Sequence, residues 1–313
     1  MAALRGSLLG LLAAVPVALL GGCALSQPRA PLSDAAVLLA GTPFFAQRDF
    51  LCGPAALATV LGAAGADVHP DELIAGLYIP ERRGTLQVEL VAATRRRGYL
   101  AVRIDETEAA IVAQLEAGRP VLVLQNLAFR LRPVWHYAVV VGYRPDEHRW
   151  VLRSGGEPEL ATPRARFAAT WSRAQNWGVV VLDPRSPPTA LPARNYLQAA
   201  ADLENIGAHE TALTAFRTAL GAWPDEPAAQ LGVANNLYYL ERYPAAVDAY
   251  RALLTAHPDD EVAVHNLAML LLELGRVCEA QRLVKEAGAL SGALIDTARR
   301  EVAAAGGCAG VAT

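Results

Sequence analysis

The chain has 313 residues, is 53% hydrophobic and carries a formal net charge of −3. That length allows about two domains, and the near-balanced charge gives no support for the basic face that nucleic acid requires. No phosphate-binding loop, dinucleotide glycine motif or Cys/His zinc spacing is present in the sequence, so the reading assigns no cofactor and no metal.

Residues 1–22, "MAALRGSLLGLLAAVPVALLGG", hold one arginine, an apolar run and then small residues, the composition of a cleaved export signal. The run is too short and too broken by Gly and Pro for a comfortable membrane span of roughly 20 residues. Leu20, Gly22 and Cys23 resemble a bacterial lipoprotein signal. The resemblance implies cleavage before Cys23 and diacylglycerol on its sulfur. Ala24, rather than aspartate, then favours the outer membrane of the cell envelope, with the protein facing the periplasm. Residues 23–42 read as a lipid-anchored tether.

From 43 to 185 helices and strands mix, and the strands come late. "GPAALATVLGAAG" and "LQVELVAATRRRG" read as helices, the second ending at Gly98. "YLAVRI" alternates as a strand. "TEAAIVAQLEAG" is a helix with Thr107 as N-cap. "RPVLVLQNL", "HYAVVVGY", "RWVLRS" and "GVVVLDP" are apolar runs of strand length, rich in β-branched residues. The order predicts an α+β layout rather than a doubly wound sheet.

Cys52 precedes a Gly-Pro step that opens the first of these helices. A thiol acts as nucleophile only as thiolate, and exposed N–H groups at a helix start favour negative charge. Gly53 is expected to let a substrate backbone come close, and Pro54 suits the first helical turn. Of six histidines, His136 is the candidate base, because it opens a strand within the same domain. Gln47, five residues before Cys52, can donate its amide N–H to an oxyanion together with the Cys52 backbone N–H.

The pattern Q-x4-C-G-P-A-A-L followed by W-H-Y-A-V-V-V-G-Y resembles the papain-like cysteine peptidases that process double-glycine leaders of bacteriocins. It is most similar to a bacterial lipoprotein branch that joins this domain to tetratricopeptide repeats. The resemblance implies a papain-like fold over 43–185, with Gln47 as oxyanion donor, Cys52 as nucleophile and His136 as general base and acid. It also implies cleavage after small residues. Those peptidases place an aspartate on the strand after the histidine, and here Ser154 is the nearest match on "WVLRSGG". Asp146 and Glu147 fall in the preceding turn.

Residues 186–193, "SPPTALPA", form a Pro-rich linker. Beyond it Gly207, Ala212, Phe216 and Pro224 recur 34 residues later as Glu241, Ala246, Tyr250 and Pro258, and Gly275, Ala280 and Val284 extend the series. A fixed period of this length with these residue types resembles the tetratricopeptide repeat. About three copies fit in 194–292, leaving 293–313 for a capping helix and tail. Such arrays present a concave face to peptide or protein partners. Cys278 and Cys308 are placed to bridge the last helices in a compartment that permits disulfides.

The expectation is therefore an α+β papain-like cysteine peptidase domain followed by an all-α repeat domain, lipid-anchored outside the cytoplasm. It cleaves a peptide or protein that the repeats help to dock. Its partners are that substrate, a protein on the repeats, and the membrane through the N-terminal lipid. Two alternatives stay open: a non-catalytic peptide-binding scaffold of an outer-membrane complex, and an acyl or amide transferase using the same Cys/His chemistry.

Overall fold

Runs of β-branched and apolar residues with both faces buried can only be interior strands of a sheet covered on both sides. The computed structural model, which describes residues 32–307, builds that sheet from β1 (Val37–Leu38), β2 (Leu100–Arg103), β3 (Val121–Asn126), β4 (Trp135–Arg144), β5 (Arg149–Ser154), β6 (Glu157–Pro163) and β7 (Gly178–Leu182). The strand order is β2-β7-β3-β4-β5-β6, with β1 pairing the far end of β4, and every pairing is antiparallel. A doubly wound parallel sheet is thereby excluded. β6, "EPELATP", is an exposed edge strand. Its two prolines are tolerated only at such an edge, which hides it from periodicity.

One face carries α1 (Cys52–Ala63), α2 (Asp71–Leu77) and α3 (Gln87–Arg96). Leu57, Leu61, Leu73 and Leu90 from these helices form one cluster with Leu122, Val139 and Val179 of the sheet. The other face carries α4 (Glu108–Glu116), capped by the Thr107 side chain, and α5 (Arg164–Ser172). Ile111, Phe167 and Trp171 pack there against Val121, Val140 and Trp150. The Trp150 indole N–H donates to Glu108, whose carboxylate also pairs with Arg164 at 3.0 Å. This nearly buried pair ties α4 to α5 beneath β5.

Helices follow in a regular series: α6 (Ala193–Asn205), α7 (His209–Ala222), α8 (Pro227–Tyr239), α9 (Tyr243–Ala256), α10 (Glu261–Glu273), α11 (Val277–Glu286) and α12 (Ala293–Ala304). α6, α8 and α10 begin at 193, 227 and 261, and α7, α9 and α11 at 209, 243 and 277, a step of 34 each time. Ala212, Ala246 and Ala280 are fully buried, and so nearly are Phe216 and Tyr250. Small side chains let paired helices approach; the aromatic rings fill what remains. Cys278 is disulfide-bonded, and Cys308 lies outside the described residues, as does Cys23 with the whole signal region. Among the described residues no helix is long and apolar enough to cross a membrane.

The Pro-rich run 186–193 is not a free tether. Arg119 donates to the Thr189 carbonyl, Gln114 donates to the Ala190 carbonyl at 2.6 Å, and Leu191 is buried. Tyr196, Leu203 and Phe216 then enter the same cluster as Val121, Val140 and Trp150. The sheet and the first helical pair share one hydrophobic core.

Gly232 on α8 lies so close to Phe216 that an added Cβ would stand 2.6 Å from the ring. Gly232→Ala is therefore expected to overpack this junction and cost about 1–3 kcal/mol, read as a lower urea midpoint.

Candidate active site

α1 begins at Cys52, with Leu51 as N-cap. The first N–H groups of a helix have no partner within it, so this residue stands where unpaired donors gather. The backbone N–H groups of Tyr137, Gly53 and Cys52 itself reach the sulfur and favour the thiolate, but burial is the larger influence and raises the thiol above its ordinary value. Gly53 is itself buried, and a Cβ there would meet the Thr85 hydroxyl at 2.5 Å. Its lack of a side chain serves the seating of Thr85 against α1. Packing against Thr85 is thus a reason for glycine here beside the expected approach of a substrate backbone.

His136 is the second residue of β4, directly before the Tyr137 whose backbone touches the sulfur. The β4–β5 register pairs Val139 with Arg153, which sets Ser154 diagonally across from His136. The Ser154 hydroxyl lies 2.8 Å from His136 Nε2. A serine oxygen can accept from Nε2–H, and that tautomer leaves the lone pair of a base on Nδ1. Burial lowers His136 below its ordinary value, and a neutral serine supplies no charge to reverse this. Burial thus favours the uncharged form of both the thiol and the imidazole. The helix-start donors offset only part of that burial.

Gln47 is held from both ends. Its backbone N–H donates to the Gly155 carbonyl at 2.9 Å, and its side-chain oxygen accepts from the Gly155 N–H at 3.0 Å. Its amide nitrogen donates to the Tyr137 carbonyl at 3.2 Å. One N–H of that amide is thereby used, and the second remains for an incoming oxygen. Gly155, with φ of +62° in the tight β5–β6 turn, was not singled out by the sequence. The pair "GG" after a strand signals a turn, but not that the turn would clasp a residue more than a hundred positions away.

Gln47, Cys52, His136, Tyr137 and Gly155 line one groove of about 1210 Å³. Ser154 stands behind His136 and is buried. None of the other five histidines lines the groove. His69 lies beside Asp71, His209 meets Asn236, and His265 meets the Leu294 carbonyl. Glu147 sits in its turn beside Arg144 and Arg149, away from the imidazole. Among the described residues no group of three His, Cys, Asp or Glu side chains is placed to hold a metal ion.

Residues 40–179 match the Peptidase_C39 like family, and this segment contains all four candidate residues. The match supports a cysteine peptidase of the papain-like kind. The chain is also similar to a C39-like peptidase from Bacillus anthracis, at 18% identity and a TM-score of 0.39, over 48% of this chain and 98% of that one. It is similar to the peptidase domain of Streptococcus ComA, a bi-functional ABC transporter involved in quorum sensing, at 20% identity and 0.38, over 45% and 98%. A third similar structure is a double-glycine motif protease from an AMS/PCAT transporter, solved with its leader peptide, at 16% identity and 0.33, over 49% and 94%. No curated protein matches.

Three outcomes follow from the geometry. Gln47→Ala removes the candidate oxyanion donor and is expected to lower kcat by about 10²–10³. Ser154→Ala removes one neutral hydrogen bond of about 1 kcal/mol, so kcat should fall by roughly fivefold while the thermal midpoint barely moves. Because burial holds His136 below its ordinary value of 6.5, the neutral imidazole of this candidate base predominates at that pH. The acid limb of a kcat/KM profile should therefore have its midpoint below 6.5.

Proposed function

We propose that this chain is a lipid-anchored extracytoplasmic cysteine peptidase that cleaves a peptide or protein substrate. The observation that carries the reading is the convergence of Cys52, His136 and Gln47 on one groove, with Ser154 on the far nitrogen of the imidazole. His136 takes the proton of the Cys52 thiol as the sulfur attacks a peptide carbonyl. The carbonyl oxygen becomes an oxyanion that accepts from the Gln47 amide and the Cys52 backbone N–H. The imidazolium then gives its proton to the departing amine, and the acyl group stays on sulfur as a thioester. Water, deprotonated by His136, releases the acid and restores the thiol.

Supporting the anchor is the sequence that ends in Leu20, Gly21, Gly22 and Cys23. Placement at the outer membrane, facing the periplasm, rests on Ala24. Supporting tetratricopeptide repeats is the 34-residue step shared by α6–α11 with its buried alanines. In this reading the helices dock the substrate protein or a partner. Cleavage after small residues is taken from the resemblance to double-glycine peptidases.

The test is digestion of a mixed peptide pool by the purified full chain, read by mass spectrometry. Wild type should cut, and Cys52→Ala and His136→Ala should each lower the rate by at least about 10³ with unchanged circular dichroism. Cutting that survives Cys52→Ala would falsify the mechanism. Peptides bound by wild type but never cut would favour the scaffold. Products joined to an added amine rather than hydrolysed would favour the transferase.

A further inference from the structure

The charge of the groove is one-sided. Six charged residues line it: Arg48, Arg82, Arg83, Arg130, Arg173 and a single acid, Asp49. Arg48 is neutralised by Asp71. The other four arginines have no carboxylate partner among the described residues. Arg83 lies over the Phe50 ring at 5.7 Å, and the Arg173 Nε–H donates to the Asn126 carbonyl at 3.1 Å. Elsewhere several arginines are paired, among them Arg95 with Asp202, Arg164 with Glu108, Arg194 with Asp105, Arg242 with Glu210 and Arg251 with Glu279.

A chain of net charge −3 therefore gathers four guanidinium groups without a carboxylate partner in the cleft that holds Cys52. They come from three separate segments: the turn before α3, the β3–β4 loop and the end of α5. Arg82, Arg83 and Arg130 are exposed to solvent. Beside them Val134 and Trp135 offer apolar surface, each a little over half exposed. A cleft lined by one sign of charge concentrates ligands of the opposite sign, and guanidinium forks match carboxylates in shape.

We propose that the groove selects peptide segments with Asp or Glu side chains close to the scissile bond, held by Arg82, Arg83, Arg130 and Arg173. This rests on the groove being a peptide cleft, and deepens that reading by naming the substrate class. The small residues at the cut fit next to Cys52, and the acidic ones lie further out, where the arginines stand.

The probes are two rhodamine-labelled peptides of one apolar and small-residue sequence, differing only in Glu against Gln. Binding is measured by anisotropy on the full chain carrying Cys52→Ala, and cleavage on the wild type. The Glu peptide should bind about tenfold tighter at low salt, and the advantage should shrink as salt screens it. Arg82→Gln with Arg83→Gln should remove most of the difference, raising KM for the Glu peptide more than it lowers kcat. Equal binding of the two peptides, or a preference indifferent to salt and to the arginines, overturns the inference even if both are cut. Selective binding without cleavage keeps it and overturns the peptidase reading instead. Phosphatidylglycerol vesicles that capture the chain through these arginines, with no Glu-over-Gln selectivity, would assign them to a lipid surface and overturn it as well.

Discussion

The β5–β6 turn at Ser154 and Gly155 is the constraint on which the rest of the site depends. Ser154 holds the far nitrogen of His136, and Gly155 binds both the backbone and the side chain of Gln47. One turn of a sheet thus fixes the candidate base and the candidate oxyanion donor relative to each other. Tyr137 closes the arrangement, because its carbonyl accepts from Gln47 while its N–H reaches the Cys52 sulfur. Three segments far apart in sequence are joined here, Gln47 through backbone groups of Gly155 and Tyr137 and His136 through the Ser154 hydroxyl. Precise placement of this kind is what orientation-dependent catalysis needs.

The same geometry opposes charge on either partner. The sulfur sits in a place that is buried more than it is polarised, and three N–H groups offset only part of that. The imidazole is oriented by a hydroxyl rather than a carboxylate, so nothing stabilises an imidazolium against burial. Ser154 contacts the imidazole as the third member of a triad would, but as a hydroxyl it brings no charge.

The helical series is not a separate appendage. Tyr196, Leu203 and Phe216 complete the cover of the sheet face opposite α1, and Arg119 and Gln114 fasten the intervening Pro-rich run. Sharing a core couples the stability of the sheet to that of α6 and α7. It also gives whatever binds the helices a fixed position relative to the sheet that carries His136.

The candidate residues were readable in the sequence, and the structure brings Gln47, Cys52 and His136 to one groove. Cys52 before Gly-Pro and a helical run, Gln47 five residues earlier and His136 at the head of a strand are local patterns, and local patterns are set by dihedral preference and hydrogen-bond chemistry along a few residues. The 34-residue step was equally legible, because each repeat solves the same packing problem with the same residue types. What the sequence could not decide were the relations between distant segments. That Gly53 packs against Thr85, that Gly155 clasps Gln47, and that the Pro-rich run is pinned rather than free depend on which backbones meet across the sheet. The burial that opposes charge on Cys52 and His136, and the gathering around them of four arginines without a carboxylate partner, are likewise properties of the assembled groove. Desolvation and pairing are summed over neighbours in space, and only the tertiary structure decides who those neighbours are.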